Sequence, residues 1–412
     1  MIRPVTFCLL LLACTSALAQ TPTVKPGIET LRESNFSILR GKRVGLITNP
    51  TGVDSRLVST IDILKNAPGV TLVALFAPEH GVRGDQQAGK NVETSQDPIT
   101  KLPVYSLYGK NRKPTTAMLK GIDVLIYDIQ DIGCRSYTFI STMGLAMDAA
   151  AENNIAFVVL DRPNPLGGEK IEGNLVEKQF TSFLGQFPIP YVYGLTCGEL
   201  ATLINETRLL PSGKQCSLTV IPMKGWKRNM RFEATGLPWV PTSPHMPNAI
   251  TAEYYVCTGI LGELGVLSEG VGYTLPFQTI GAPWINPNVF ASEMNKLGLQ
   301  GVIFRPITYT PFYGRLRDST VGGIQIHITD PSQVNLMSIQ FLALQTLKIL
   351  SPERDVWSLA GDARLKQFDR VLGADTIRKK FMTHMTYEEI RPILERDVAA
   401  FRQLSKKYWL YK

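Results

Sequence analysis

Four short runs of aliphatic and β-branched residues in the first half of the chain each stop abruptly in a polar loop rich in proline or glycine. Residues 44–48 end in Asn49-Pro50-Thr51-Gly52, and residues 70–76 lead into Pro78-Glu79-His80-Gly81-Val82-Arg83-Gly84-Asp85. Residues 124–127 run into Asp128-Ile129-Gln130-Asp131-Ile132-Gly133-Cys134-Arg135, and 155–160 into Asp161-Arg162-Pro163-Asn164-Pro165-Leu166-Gly167-Gly168. Between the runs lie stretches of helical period, with Leu57, Ile61 and Leu64 on one face and Met143, Ala146, Met147 and Ala150 on another. Continuous apolar runs alternating with amphipathic helices predict buried parallel strands in an α/β domain. Parallel strands bring their carboxyl ends to one edge, so the charged loops converge there, in the crevice where open α/β sheets bind ligands.

The loop after residue 76 carries the densest chemistry: Glu79, His80, Arg83 and Asp85 fall within seven residues. Glu79 is the first candidate for a catalytic group. Asn49 and Thr51 offer hydrogen bonds at the sheet edge or serve as turn formers. Neither G-x-G-x-x-G nor G-x-x-x-x-G-K-[ST] is present, so no nucleotide is implied. The four histidines, His80, His245, His327 and His384, lack ligand spacing with one another or with cysteine, so no metal is expected.

At 412 residues the chain exceeds what a single core supports. The segment Leu209-Leu210-Pro211-Ser212-Gly213 is the linker candidate. It separates a domain spanning 20–212 from a smaller α/β domain spanning 213–412, opened by a strand at 218–223. Four prolines between Pro238 and Pro247 stiffen a loop that holds His245. Such a loop serves either as a stacking floor for sugar faces or as a rigid crossover. Helices are expected over 251–264, 338–350 and 387–408, and strands over 302–307 and 322–329. Gly265, Gly270 and Gly272 let the backbone bend around Glu269, a further acidic candidate from the second domain.

Residues 1–19 read as a signal peptide: Arg3, then an apolar run, then Ala17-Leu18-Ala19 before Gln20. The alternative cut, Leu11-Leu12-Ala13-Cys14, is that of a lipoprotein. Either way the protein is expected to be exported to the periplasm or beyond. Of the four cysteines outside this segment, Cys197 and Cys216 enclose the shortest possible disulfide loop, and all four also suit buried positions. The net charge of +8 is scattered, with no basic arm interleaved with aromatics, which excludes a nucleic-acid partner.

Carboxylates on loops at a sheet edge suit glycoside cleavage, in which one carboxyl protonates the leaving oxygen and a second acts as nucleophile or base. The chain lacks the G-x-S-x-G of a serine hydrolase. A non-catalytic exported sugar or muropeptide receptor is the competing reading. The segments ITNPTG, FAPEHGVRG, YDIQDIGCRSYT, DRPNPLGG, PTSPHMP and LSEGVGYTLPFQ, in this order, closely resemble the exo-β-N-acetylmuramidase family across the mature chain. The resemblance implies a Rossmann-like first domain without dinucleotide, a smaller second domain and a site in the cleft between them. It also implies release of N-acetylmuramic acid from peptidoglycan fragments without a cofactor. It supports Glu79 as acid/base, with Glu172 preferred as second carboxylate and Glu269 in reserve. Arg83, Arg135 and Arg162 are candidates for the lactyl carboxylate, and Asp128, Asp131, Asp161 and Asn164 for hydroxyls or the N-acetyl group. Asn49, His80, His245 and Glu269 complete the binding candidates. The substrate's own acetamide is an alternative nucleophile.

Overall fold

The computed structural model describes residues 24–84 and 95–412. The expected signal segment, with Cys8 and Cys14, and Asp85 lie outside these residues.

Seven strands form the large sheet: β1 (Lys42–Thr48), β2 (Val70–Ala77), β3 (Ser95–Gln96), β4 (Pro103–Ser106), β5 (Val124–Asp128), β6 (Ala156–Leu160) and β7 (Leu218–Ile221). Their order is β3-β4-β2-β1-β5-β6-β7, and every pairing is parallel except that of β3 with β4. Apart from the short edge strand β3, this is the doubly wound Rossmann order, with its switch point between β1 and β5. Alternate residues serve opposite faces. Val44, Leu46, Ile126, Val158 and Leu160 join one core, with α1 (Gly27–Glu33) and α2 (Thr60–Lys65). Ile47, Leu125, Tyr127, Phe157 and Val159 join the other, with α3 (Thr116–Leu119), α4 (Phe139–Glu152) and α5 (Cys197–Glu206). Burial on both faces explains why the strands read as unbroken apolar runs. The start of α5 is set by a capping box between Thr196 and Glu199.

The second domain has a three-stranded antiparallel sheet of β8 (Thr279–Ala282), β9 (Val302–Tyr309) and β10 (Val321–Ile328), with β10 in the middle. Ile324 and Ile326 face a core shared with α6 (Thr251–Gly262), α7 (Pro287–Lys296) and α8 (Leu336–Leu350). Four helices follow: α9 (Val356–Leu372), α10 (Thr376–His384), α11 (Tyr387–Glu395) and α12 (Val398–Ser405).

Two expectations need correction. The strand expected to open the second domain is β7, which pairs Phe157–Leu160 of β6 with Leu218–Ile221 and completes the first sheet. A boundary after residue 212 therefore cuts through the first domain. The single helix expected over 387–408 is broken into α11 and α12. Ile390 and Leu394 pack into the second-domain core, whereas Phe401 packs under the large sheet. The chain turns between them to carry its terminus back to the first domain, where Tyr411 packs with Val24, Met223 and Trp226. The four described cysteines are buried and free, so Cys197 and Cys216 serve as small hydrophobes.

Candidate active site

After β2, Pro78 ends the strand, and His80 (φ 74°) with Gly81 (φ 79°) turns the chain through the left-handed region. That conformation is unusual for a residue with a side chain, and such backbone strain gathers at functional sites. The turn leaves Glu79 half-buried. Thr138, the residue before α4, donates its hydroxyl to Glu79 Oε2 at 3.0 Å. Tyr108, two residues beyond β4, hydrogen-bonds the same carboxyl. Burial, then the charge of Glu79 and this bond, push the Tyr108 phenol up to about 12, so it stays protonated as a donor.

The facing wall comes from the proline-rich loop and the second domain. Tyr137, beside both Glu79 and Asp131, shares a 2.7 Å hydrogen bond with the Thr242 hydroxyl and is also bonded to Ser243. Its ring meets Tyr255 edge-on at 5.9 Å, and Tyr255 meets Phe277 at 4.9 Å. His245 Nε2 lies 2.7 Å from the Tyr313 hydroxyl, the rings stacked at 6.0 Å. Burial, and the nearby His80, hold His245 below the usual imidazole range, which favours its neutral form. A carboxyl, hydroxyls, an imidazole and aromatic rings are thus brought together where the loop after β2 meets the proline-rich loop and the second domain.

The other two charged loops do converge on the sheet edge, but they lock onto each other. Asp128 Oδ1 accepts from Arg162 Nε at 2.6 Å and Oδ2 from Arg162 Nη2 at 3.0 Å, with Thr60 Oγ1 at 2.5 Å. Arg162 also donates to the Val53 carbonyl. Asp161 accepts from the hydroxyls of Thr196 and Tyr411 and from the backbone of Arg162 and Gly198. Asn164 holds Leu166 N and the Leu195 carbonyl. Asp131 accepts from Gly133 N and the Tyr193 phenol, and burial pushes its carboxyl up to about 7. These residues, read from the sequence as substrate ligands, are held to one another and to neighbouring backbone at the edge. The crevice at the switch point holds only about 20 Å³ and is roofed by residues 237–240.

The remaining candidates divide similarly. Arg135 is fully buried and donates to the carbonyls of Asn174, Ile189, Val371 and Leu372. Arg83 makes a two-pronged pair with Asp97 at 3.0 and 3.1 Å, and that guanidinium helps hold the Asp97 carboxyl down at about 2. Arg135 and Arg162 are thus held by internal partners, and Arg83, part-exposed, is paired with Asp97. Glu172 accepts from Lys170 Nζ and from Met337 N at the start of α8, 3.0 Å each, so it anchors that helix. Glu269 sits beside Arg315 and Glu263 in the second domain, its carboxyl raised by burial. Asn49 turns its oxygen onto Thr51, while its buried Nδ2 has no partner among the described residues. Of the sequence candidates, Glu79, His80 and His245 are brought together. Tyr108, Thr138, Tyr137, Thr242 and Tyr313 were missed. For Tyr108 the signal was present, since it follows a strand of the same parallel edge. Among the described residues no group of three or more His, Cys, Asp and Glu side chains is arranged to hold a metal ion.

A half-buried carboxyl held by two hydroxyl donors beside aromatic rings suits the acid/base of glycoside hydrolysis. The chain belongs to the exo-β-N-acetylmuramidase NamZ family: the N-terminal family model matches residues 44–250 and the C-terminal model residues 253–411. It is 43% identical over 393 residues to the peptidoglycan β-N-acetylmuramidase NamZ of Bacillus subtilis (strain 168), covering 95% of this chain and 92% of that protein. Two crystal structures of DUF1343-family proteins from Bacteroides fragilis share the fold. One has a TM-score of 0.91 at 55% identity, covering 95% of this chain and 99% of that one. The other has a TM-score of 0.74 at 30% identity, covering 94% and 99%.

Proposed function

We propose that this protein is an exo-β-N-acetylmuramidase that removes terminal β-linked N-acetylmuramic acid from peptidoglycan fragments, with Glu79 as the acid/base. The observation that carries this reading is the half-buried Glu79 carboxyl, held by Thr138 and Tyr108, in a member of this family. Glu79 gives its proton to the leaving glycosidic oxygen as the bond to the anomeric carbon breaks, and later takes one from the incoming water. Glu172 and Glu269 have other partners and Asp131 is buried, which favours the sugar's own acetamide oxygen as the group that attacks the anomeric carbon. His245 and Tyr313 are suited to hydroxyl and acetamide contacts. The signal-like residues 1–19 support export to the compartment where such fragments arise.

The test compares release of 4-nitrophenol from the β-N-acetylmuraminide and from the β-N-acetylglucosaminide. Turnover of the muraminide alone or in strong preference is expected. Tight muropeptide binding with no turnover of either sugar would favour a receptor instead. Glu79→Gln should slow an unactivated disaccharide by about 10²–10⁴-fold, the usual share of a general acid; a loss under about tenfold removes Glu79 from that role. Replacing the acetamide by its trifluoroacetyl analogue should slow hydrolysis strongly if the acetamide attacks, and an unchanged rate refutes that step.

A further inference from the structure

Muramic acid differs from glucosamine by a lactyl ether whose carboxylate is an anion, and we propose that Arg112 binds that carboxylate. The inference rests on Glu79 cleaving a terminal muramic acid. Arg112 lies in the loop after β4, four residues beyond Tyr108. Its guanidinium carbon sits 4.5 Å from the centroid of the Phe183 ring. That ring is in turn 6.3 Å from Tyr108, whose phenol bonds Glu79. The guanidinium is near enough for its charge to act on the Tyr108 phenol. An exposed cation therefore stands to one side of the acid/base, with aromatic rings between them.

Three features distinguish Arg112 from the other arginines considered for this anion. Arg83, Arg135 and Arg162 are engaged by Asp97, by four backbone carbonyls and by Asp128, whereas no carboxylate of the described residues pairs with Arg112. The neighbouring Lys113 shows the contrast, since it is bridged to both Asp148 and Glu152. A guanidinium stacked on a ring keeps its N–H edge free for a two-pronged contact, and the ring limits the entropy lost on binding. Arginine's planar fork matches a carboxylate in a way that an ammonium does not.

The decisive experiment uses the full-length protein with two substrates that differ only in charge: the 4-nitrophenyl β-N-acetylmuraminide and its lactyl methyl ester. Arg112→Ala should lower kcat/KM on the acid by about 10- to 100-fold, the value of a charge-assisted contact, and leave the ester within about twofold. Arg112→Lys should fall between, because charge survives but the fork is lost. Equal losses on acid and ester would overturn the proposal, since Arg112 would then act through Tyr108 on Glu79. Unchanged rates on both would overturn it too. Wild-type protein that turns over neither muraminide would instead refute the activity itself, before Arg112 is in question.

Discussion

Arg135 offers the sharpest test of how the charged loops divide between bracing and chemistry. It is an arginine in a charged loop at a ligand-binding edge, yet its guanidinium ties two carbonyls of the first domain, Asn174 and Ile189, to two at the end of α9, Val371 and Leu372. A cation suits that place because a helix carboxyl end carries partial negative charge. In Arg135→Met, four acceptors lose their donor at about 2 kcal/mol each. The substitution also returns the desolvation penalty that brings the arginine down from 12.5 to about 10, about 3 kcal/mol at about 1.4 per unit. The net expectation is a loss of about 5 kcal/mol, within the range seen when one member of a buried charged network is removed. That is a large part of the roughly 5–15 kcal/mol that holds a typical protein folded. Urea unfolding followed by circular dichroism reads the loss directly. The selectivity between muraminide and glucosaminide, measured well below the transition, should be unchanged. A variant with native stability and lost selectivity would refute this assignment and return Arg135 to the ligand.

Glu172→Gln should cost about 1–2 kcal/mol through its weakened hold on Met337 N and Lys170, with kcat near wild type; collapse of kcat in a folded variant would restore it as the second carboxylate. Asp131 gives a pH signature. Its folded value of about 7 lies above 3.8, so its protonated form favours folding at low pH and that contribution is lost as pH rises through 7. Asp131→Asn should therefore gain stability relative to wild type between about pH 5 and about pH 8, by at most about 3 kcal/mol. Urea midpoints that shift equally at both pH values would refute a protonated Asp131. Thr138→Val and Tyr108→Phe should each lower kcat by about tenfold through loss of a donor to Glu79, read on the disaccharide substrate; full activity in both would show that neither donor matters.

The sequence by itself determined the class of fold and the place of the site on it. Apolar runs in β1, β5 and β6 alternate between two cores residue by residue, and that period is written in the chain. Parallel pairing then obliges the loops carrying Glu79, Asp128 and Asp161 to share an edge. Length and a Pro-Ser-Gly linker suggested where the first domain ends, but a strand's partner lies elsewhere in the chain, and only the tertiary structure joined β7 to β6. The same limit governs the charges. Local sequence shows that Arg135, Arg162 and Asp128 are ionisable; it does not show which atoms face them. Asp128 meets Arg162 across 34 residues, and Arg135 meets Leu372 across 237, so long-range contacts decide which charges become braces. Only the tertiary structure brought Thr138 and Tyr108 to Glu79, because the first comes from the residue before α4 and the second from the loop after β4.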